Sequence, residues 1–187
     1  MKHIKLISWV LFGLLCVAQL GVIVFQIASY ERILKEGEAF YFKVQPLDPY
    51  DAFRGRYVSL RFENVNKAPL AESEVDNGQS KGYAILEHKG NVDVVKEVRF
   101  TKPSSGSFLE VDVNFINHES NNRMSANISL PFDRFYMREE IAPKAEQVLR
   151  ARSGVTVNAK LRVLNGKGVI EELMVGETPL SQFVLSN

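Results

Sequence analysis

The sequence predicts a mainly β (α+β) protein: an N-terminal transmembrane helix followed by an antiparallel curved sheet or partly open barrel with one short covering helix. Residues 4–28 form an apolar run without a charge. Beyond this run, segments of alternating apolar and polar residues are typical of half-buried strands, and a single stretch has the spacing of an amphipathic helix. Because helices do not alternate with the strands, the pattern disfavours a doubly wound fold.

Composition limits the class of protein before any motif is considered. The 187 residues include 45% hydrophobic and 24% charged residues, with a formal net charge of +1 and one cysteine. This balance excludes a wholly disordered chain and argues against a nucleic-acid partner bound through its phosphates. One cysteine also excludes a disulfide framework and a cysteine-rich zinc site. We therefore expect one domain with an accessory segment.

The apolar run predicts a membrane anchor. It is 25 residues long, whereas roughly 20 helical residues cross a hydrocarbon core about 30 Å thick. Trp9 and Tyr30 lie near its two ends, where interfacial aromatic residues are common. We therefore expect contact with a lipid bilayer through residues 4–28, an anchor at 1–35 and a folded body at 36–187.

Other interpretations of the run compete with a retained anchor. A cleaved signal peptide has an apolar run of about 7–15 residues, and the best cleavage motif here, at residues 16–18, lies in the middle of a longer one. A lipoprotein needs a small residue before its acylated cysteine, but Leu15 precedes Cys16. A buried core helix is seldom apolar on all sides over such a length. A retained signal anchor fits best, and Lys2 and Lys5 favour a cytoplasmic N terminus with the body outside the cytoplasm.

Apolar periodicity predicts the elements of the body. The anchor helix is expected to end at Gly37 in a left-handed conformation. About eight strands follow, with hairpin turns at 88–91 and 165–168, a long loop at 64–81 and a tail over the last ten residues. The apolar positions that define the strands are Phe40, Phe42 and Val44; Val58, Leu60 and Phe62; Tyr83 and Ile85; Val92 and Val94; Leu109, Val111, Val113 and Phe115; Met124, Ala126, Ile128 and Leu130; Val155, Val157, Ala159, Leu161 and Val163; and Val169, Ile170, Leu173 and Val175.

Residues 139–152 are predicted to form the covering helix. Pro143 is tolerated only in a first helical turn, so regular helix is expected to start at or just before it. Gly154 follows as a C-cap. The apolar residues that share one face of this helix are Ile141, Ala145, Val148 and Leu149.

Familiar catalytic motifs are missing from the sequence. His3, His88 and His118 are isolated from one another and from other ligands at metal spacing, so we expect solvated histidines, no metal and no cofactor. The chain has neither a nucleophile elbow nor a phosphate loop. The lack of these motifs favours a protein that is not an enzyme.

One segment, residues 46–62, combines acids, arginines and aromatic residues around a glycine between two predicted strands. Asp48 and Asp51 could act as acid and base or hold a metal. Alternatively, they satisfy loop amides and pair with Arg54 or Arg56. Because no nucleophile or histidine accompanies the acids, we favour a recognition loop. Its candidate residues are Asp48, Tyr50, Asp51, Phe53, Arg54, Gly55, Arg56 and Tyr57.

The same segment resembles the signature of the GDYXXLXY family of bacterial membrane-anchored proteins. Residues 55–62 read Gly-Arg-Tyr-Val-Ser-Leu-Arg-Phe, and residues 48–54 resemble the family's Asp-Pro-x-Asp-x-x-Arg lead-in. Residues 130–137 resemble its second aromatic motif, and the resemblance spans roughly 38–176. It implies one N-terminal anchor in the bacterial cytoplasmic (inner) membrane and a periplasmic domain of unknown function, often encoded beside a multi-span membrane protein. It implies no catalytic residues.

Two departures from the signature bear on function. Arg56 stands where the family has aspartate, and Phe62 stands where it has tyrosine. An aspartate at position 56 therefore cannot be a catalytic or metal-binding group in this chain. We expect a binding or assembly module for another envelope or multi-span membrane protein. The alternative is a metal- or carboxylate-dependent hydrolase that uses Asp48 and Asp51.

Overall fold

The computed structural model describes residues 2–47, 57–63, 65–71, 80–90, 92–118, 124–132, 134–137, 141, 144–145 and 156–186. Within these residues, an N-terminal apolar helix precedes two antiparallel sheets and a short C-terminal helix, which confirms the predicted fold class. The helices are α1 (Lys2–Glu36) and α2 (Leu180–Ser186). The strands are β1 (Glu38–Leu47), β2 (Tyr57–Phe62), β3 (Lys67–Pro69), β4 (Lys81–Glu87), β5 (Val94–Arg99), β6 (Phe108–His118), β7 (Met124–Ser129), β8 (Arg134–Tyr136), β9 (Val157–Leu164), β10 (Lys167–Val175) and β11 (Thr178–Pro179).

The two sheets enclose one core. The first has the order β11-β10-β9-β1-β2-β8, and the second has the order β3-β7-β6-β4-β5. The second sheet is nearly closed, like a barrel, because the residues after β3 contact β5. The Ala71 amide donates to the Val98 carbonyl at 3.0 Å, and Leu70 and Val98 form an isolated parallel β-bridge. Phe40 and Phe42 of β1 are about 1% exposed and lie in this core.

Helix α1 is long and apolar enough to cross a membrane over Ile7–Glu36, and no residue of the 18-residue apolar window within that stretch is buried. This exposure is incompatible with the core-helix interpretation. The helix is compatible with a membrane anchor, and a signal sequence has the same length and composition.

The helix exit, where α1 ends at Glu36 and β1 begins at Glu38, is fixed to the body. The Gly37 amide donates to the Ile33 carbonyl at 2.9 Å, and Ile33 is only 4% exposed. The stop at Gly37 is confirmed, but the predicted left-handed conformation is wrong because its φ is not positive. A Cβ at this position would clash with the Ile33 carbonyl and would lie 3.1 Å from the Val163 amide nitrogen. Close packing, rather than a left-handed turn, requires glycine here.

Most predicted strands are confirmed, but some predicted core residues do not face the core, and three bulges interrupt the alternation. In β4 the buried residues are Gly82, Ala84 and Leu86, whereas the predicted pair Tyr83 and Ile85 is only half-buried. In β5, Val95 and Val98 are buried in place of the predicted Val92 and Val94, and Lys96 is the extra residue of a bulge. In β6 the register shifts after Val113, which leaves Phe115 54% exposed. The third bulge, at Glu171, explains the irregular spacing along β10.

Both predicted hairpins are confirmed. β4 and β5 pair across residues 88–93, and β9 and β10 pair across Asn165 and Gly166. The φ angles of Asn165 and Gly166 are 51° and 87°, as a two-residue turn of the twisted hairpin type requires.

Three other expectations need correction or stay open. The last ten residues are not a tail, because β11 and α2 occupy them and Leu180 is fully buried. The loop predicted at 64–81 contains β3, which pairs with β7. Of the covering helix at 139–152, Ile141, Lys144 and Ala145 are described; the Ala145 amide donates to the Ile141 carbonyl at 2.9 Å, and both residues are buried. The remainder of that helix lies outside the described residues.

Candidate functional site

The predicted recognition loop connects two strands that pair with each other. β1 ends at Leu47, and Leu47 lies opposite Ser59 of β2 in an antiparallel register. The ends of the loop are therefore held side by side. Tyr57 is the first residue of β2, whereas the other candidate residues lie outside the described residues: Asp48, Tyr50, Asp51, Phe53, Arg54, Gly55 and Arg56.

The two motif segments meet at one edge of the six-stranded sheet. Strand β2, which carries the signature, pairs with β8, which belongs to the segment 130–137. Tyr57 lies opposite Tyr136, and Val58 lies opposite Phe135. Residues almost eighty positions apart in the sequence therefore lie side by side at one edge of the sheet. The sequence did not predict this pairing, because nothing in either motif specifies its partner strand.

The signature also contributes to the core. Leu60 and Phe62 are 2% and 5% exposed. The Phe62 ring packs edge-on against Phe42 and Phe132, with centroid distances of 6.4 and 5.8 Å. A buried tyrosine hydroxyl would need a hydrogen-bond partner at this position, so the departure from tyrosine to Phe62 suits its apolar surroundings.

The loop and the helix exit lie at opposite ends of β1. This strand has ten residues, which correspond to about 33 Å at roughly 3.3 Å per residue. A partner that contacts the loop therefore binds far along the body from the point where α1 enters it.

A polar cluster that sequence analysis missed lies beside the helix exit. The ring of His88 stacks on Phe40 with a centroid distance of 4.5 Å and an interplanar angle of 4°. His88 Nδ1 lies 2.8 Å from Asp93 Oδ1, and His88 Nε2 lies 3.1 Å from Glu38 Oε1. The Ser107 hydroxyl donates to the second carboxylate oxygen of Glu38. His88 is exposed and lies in a loop, as expected, but it is not isolated, because these contacts join it to β1 and to Asp93.

Asp93 holds this cluster to the backbone of β1. It is 5% exposed, and its Oδ2 accepts from the Tyr41 amide at 2.6 Å. Its own amide donates to the Tyr41 carbonyl at 2.7 Å. The cluster therefore joins the hairpin between β4 and β5 to the first strand.

The electrostatics of the cluster favour a charged histidine. Hydrogen bonds to Glu38 and Asp93 raise the pKa of His88, and its partial burial opposes them. Hydrogen bonds from Ser107 and His88 lower the pKa of Glu38. Because a carboxylate occupies each ring nitrogen, His88 has no free lone pair with which to take a proton from a substrate. The arrangement can link strands but cannot serve as a general base in this geometry.

A second charged group fixes the helix exit. Arg162 Nη1 donates to the Gly37 carbonyl at 3.1 Å, and its Nε contacts Glu171 at 2.5 Å. Lys160 Nζ also binds Glu171, at 3.0 Å. Burial alone would raise the pKa of Glu171, but the hydrogen bonds from Arg162 and Lys160 lower it. The bulge residue of β10 thus anchors the arginine that holds the end of α1.

An open groove lies along β4 and β6 of the nearly closed sheet. Its volume is about 430 Å³. Within the described part of the chain, no set of three histidine, cysteine, aspartate or glutamate side chains has the geometry to hold a metal ion. The groove lining includes Lys81, Tyr83, Phe100, Glu110, Asp112 and Pro131.

Comparison with known proteins identifies one family. The sequence model of the family described as GDYXXLXY protein matches residues 19–173, which is most of the chain. The matched range runs from the middle of α1 into β10. No curated protein and no solved structure matches the chain.

Proposed function

Because the chain belongs to the GDYXXLXY protein family, we propose that it is a single-pass membrane protein whose body binds another envelope protein outside the cytoplasm. The partner class that we favour is a multi-span membrane protein. The proposed location is the bacterial cytoplasmic membrane, with the N terminus inside. The proposed contact residues are those of the loop between β1 and β2, together with Tyr57.

The observation that carries this proposal is the pairing of β2 with β8. Because these strands pair at one edge of the sheet, both motif segments contribute to the edge that follows the loop in the chain. On that edge the Tyr136 side chain is 64% exposed. Aromatic residues are the side chains that most often dominate the free energy of binding at protein interfaces. An exposed aromatic surface of this kind suits binding to another protein.

The experiment is a pull-down of the full chain from solubilised membranes with Tyr50→Ala and Phe53→Ala variants. An interface residue of this type contributes 2 kcal/mol or more, so we expect partner capture to weaken by about 30-fold. The thermal midpoint of the isolated protein should stay nearly unchanged. The matched control is Phe115→Ala, because Phe115 is also exposed but lies on the other sheet.

Two outcomes would replace the proposal. If Tyr50→Ala and Phe53→Ala both lower the thermal midpoint strongly, the loop is a folding element. If Asp48→Asn and Asp51→Asn abolish an activity without altering capture, the chain is an enzyme. A metal-dependent rise in the thermal midpoint would support that second outcome, because a ligand bound only by the folded state stabilises it.

A further inference from the structure

We propose that Lys89, Lys102 and Lys167, the proximal lysines, bind the anionic headgroups of the bilayer into which α1 inserts. The inference rests on the proposed membrane anchoring. It assigns a lipid-binding surface to the end of the body opposite the recognition loop.

All three lysines lie around the helix exit. Lys89 follows His88, which contacts Glu38 at the start of β1. Lys102 Nζ stands 6.0 Å from the centre of the Phe108 ring, next to Ser107, which also contacts Glu38. Lys167 lies opposite Leu164 at the turn of the β9–β10 hairpin.

The two sheets meet at this same end of the body. Gly166, the residue before Lys167, accepts a hydrogen bond at its carbonyl from the Glu110 amide at 2.8 Å. A Cβ on Gly166 would approach the Phe108 ring at 2.8 Å. The turn beside Lys167 therefore packs on Phe108, the ring that Lys102 approaches, and Glu38 links Ser107 to His88, the neighbour of Lys89.

The helix length brings this end close to the membrane surface. Eight residues separate Ala28, the last residue of the uncharged run, from the end of α1 at Glu36, which corresponds to about 12 Å of helix. The polar headgroup layer occupies roughly 5–8 Å of that distance. The remaining gap is shorter than an extended lysine side chain plus the Debye length of about 8 Å at physiological salt.

The charges near the helix exit leave these lysines available. Glu31 and Glu36 pair with Lys35 and Arg32 within α1, and Glu38 binds His88 and Ser107. The proximal lysines are exposed, and within the described residues none of them forms an ion pair. A carboxylate oxygen of Glu110 also lies beside the β9–β10 turn, 3.2 Å from the position of a Cβ on Gly166.

The size of the effect follows from the tether. Each lysine near an anionic surface favours the bound state by about fivefold. Because α1 keeps the body beside the bilayer, this attraction needs only to change how close the body lies to it. Removing two lysines should therefore shift the balance of near and far positions by about 30-fold.

The experiment uses the full chain in vesicles of phosphatidylcholine, with or without phosphatidylglycerol. Cys16→Ser removes the single cysteine, and Ser105→Cys then places one fluorophore at the exposed turn beside Lys102. Energy transfer to a headgroup-labelled lipid reports the distance of that turn from the bilayer. Vesicle flotation reports separately whether α1 inserts.

We expect phosphatidylglycerol to increase energy transfer in the unsubstituted background and high salt to reverse the increase. Lys89→Gln with Lys167→Gln should remove the response. Lys67→Gln with Lys81→Gln, which removes the same charge from β3 and β4, should preserve it.

If the protein floats with the vesicles but energy transfer does not depend on phosphatidylglycerol, the lipid surface is refuted and the anchor stands. An equal loss of response in both double variants also refutes it. Failure to float overturns the proposed anchoring itself.

Discussion

His88 joins the first strand of the body to the β4–β5 hairpin through both ring nitrogens. Its partner Glu38 is 50 positions away in the sequence, and Ser107, which donates to Glu38, is 69 positions from that carboxylate. Only Asp93, five positions later, was close enough to suggest a contact. Sequence analysis therefore described an isolated histidine, because the contacts that define its role depend on the folding of β1, β4 and β6.

The raised pKa of His88 predicts how stability depends on pH. Its contribution is fully present below the unfolded pKa of about 6.5 and is lost as the pH rises through the raised pKa of the folded state. The lowered pKa of Glu38 acts at the acidic end, because the stability that this carboxylate contributes is lost as the pH falls through that pKa. The thermal midpoint of the full chain in detergent should therefore exceed that of His88→Gln most in mildly acidic buffer. If the difference in thermal midpoint between the two proteins does not change with pH, the prediction is contradicted.

Gly37 is expected to reject any side chain. Its substitution by alanine places a Cβ against the Ile33 carbonyl and near the Val163 amide. Overpacking of this kind costs about 1–3 kcal/mol, so Gly37→Ala should lower the midpoint of chemical unfolding. Gly90→Asn is the control, because Gly90 has φ +68° and open space around it, and asparagine tolerates that conformation. Equal stability of Gly37→Ala and the unsubstituted protein would show that the helix exit adjusts freely.

Periodicity predicted the strands because each one has a face on the same core. β9 is the clearest case, since Val157, Ala159, Leu161 and Val163 are all buried as expected. Two of the failures fall where a bulge adds a residue to one strand, at Lys96 in β5 and in β6 after Val113, whereas in β4 the larger side chains Tyr83 and Ile85 lie on the face away from the core. A bulge is a property of a pair of strands, so the sequence of one strand does not reveal it.

Helix α2 was missed because seven residues provide only two apolar positions on one face. Leu180 and Val184 are buried, whereas Leu185 is 70% exposed. Leu180→Ala should therefore lower the free energy of unfolding by about 2–5 kcal/mol. Leu185→Ala should change it by less than about 0.5 kcal/mol. Denaturant unfolding of both variants tests the assignment, and equal effects would show that α2 does not pack as described.

At the level of the whole molecule, the boundary between anchor and body can be tested with fragments. The boundary at 35/36 stays a prediction, and the fragment 36–187 is expected to unfold cooperatively. Ile33 is buried against the body, and burying such a side chain contributes about 1.5–3 kcal/mol. A fragment that begins at residue 29 should therefore be more stable by about that amount. If both fragments unfold at the same denaturant concentration, the last turns of α1 contribute nothing to the body.

Orientation in the membrane is a property of the complete chain. We expect a reporter that is active only outside the cytoplasm to be active when fused after Asn187, because Lys2 and Lys5 favour a cytoplasmic N terminus. A cytoplasmic reporter at the same site should be silent. The reverse pattern of activities would overturn the orientation, whereas release of the body from the membrane would identify residues 4–28 as a cleaved signal sequence.

The single residue between α1 and β1 has a mechanical consequence. Gly37 alone separates the helix from the strand, and Arg162 fastens its carbonyl to the body. Rotation of the helix about its own axis must therefore turn the body with it. If the chain binds a membrane partner as proposed, that partner meets a body held at one height and in one orientation about the helix axis. Its search is then two-dimensional and directional, and inserting a single residue near the end of α1 would turn the body by about 100°.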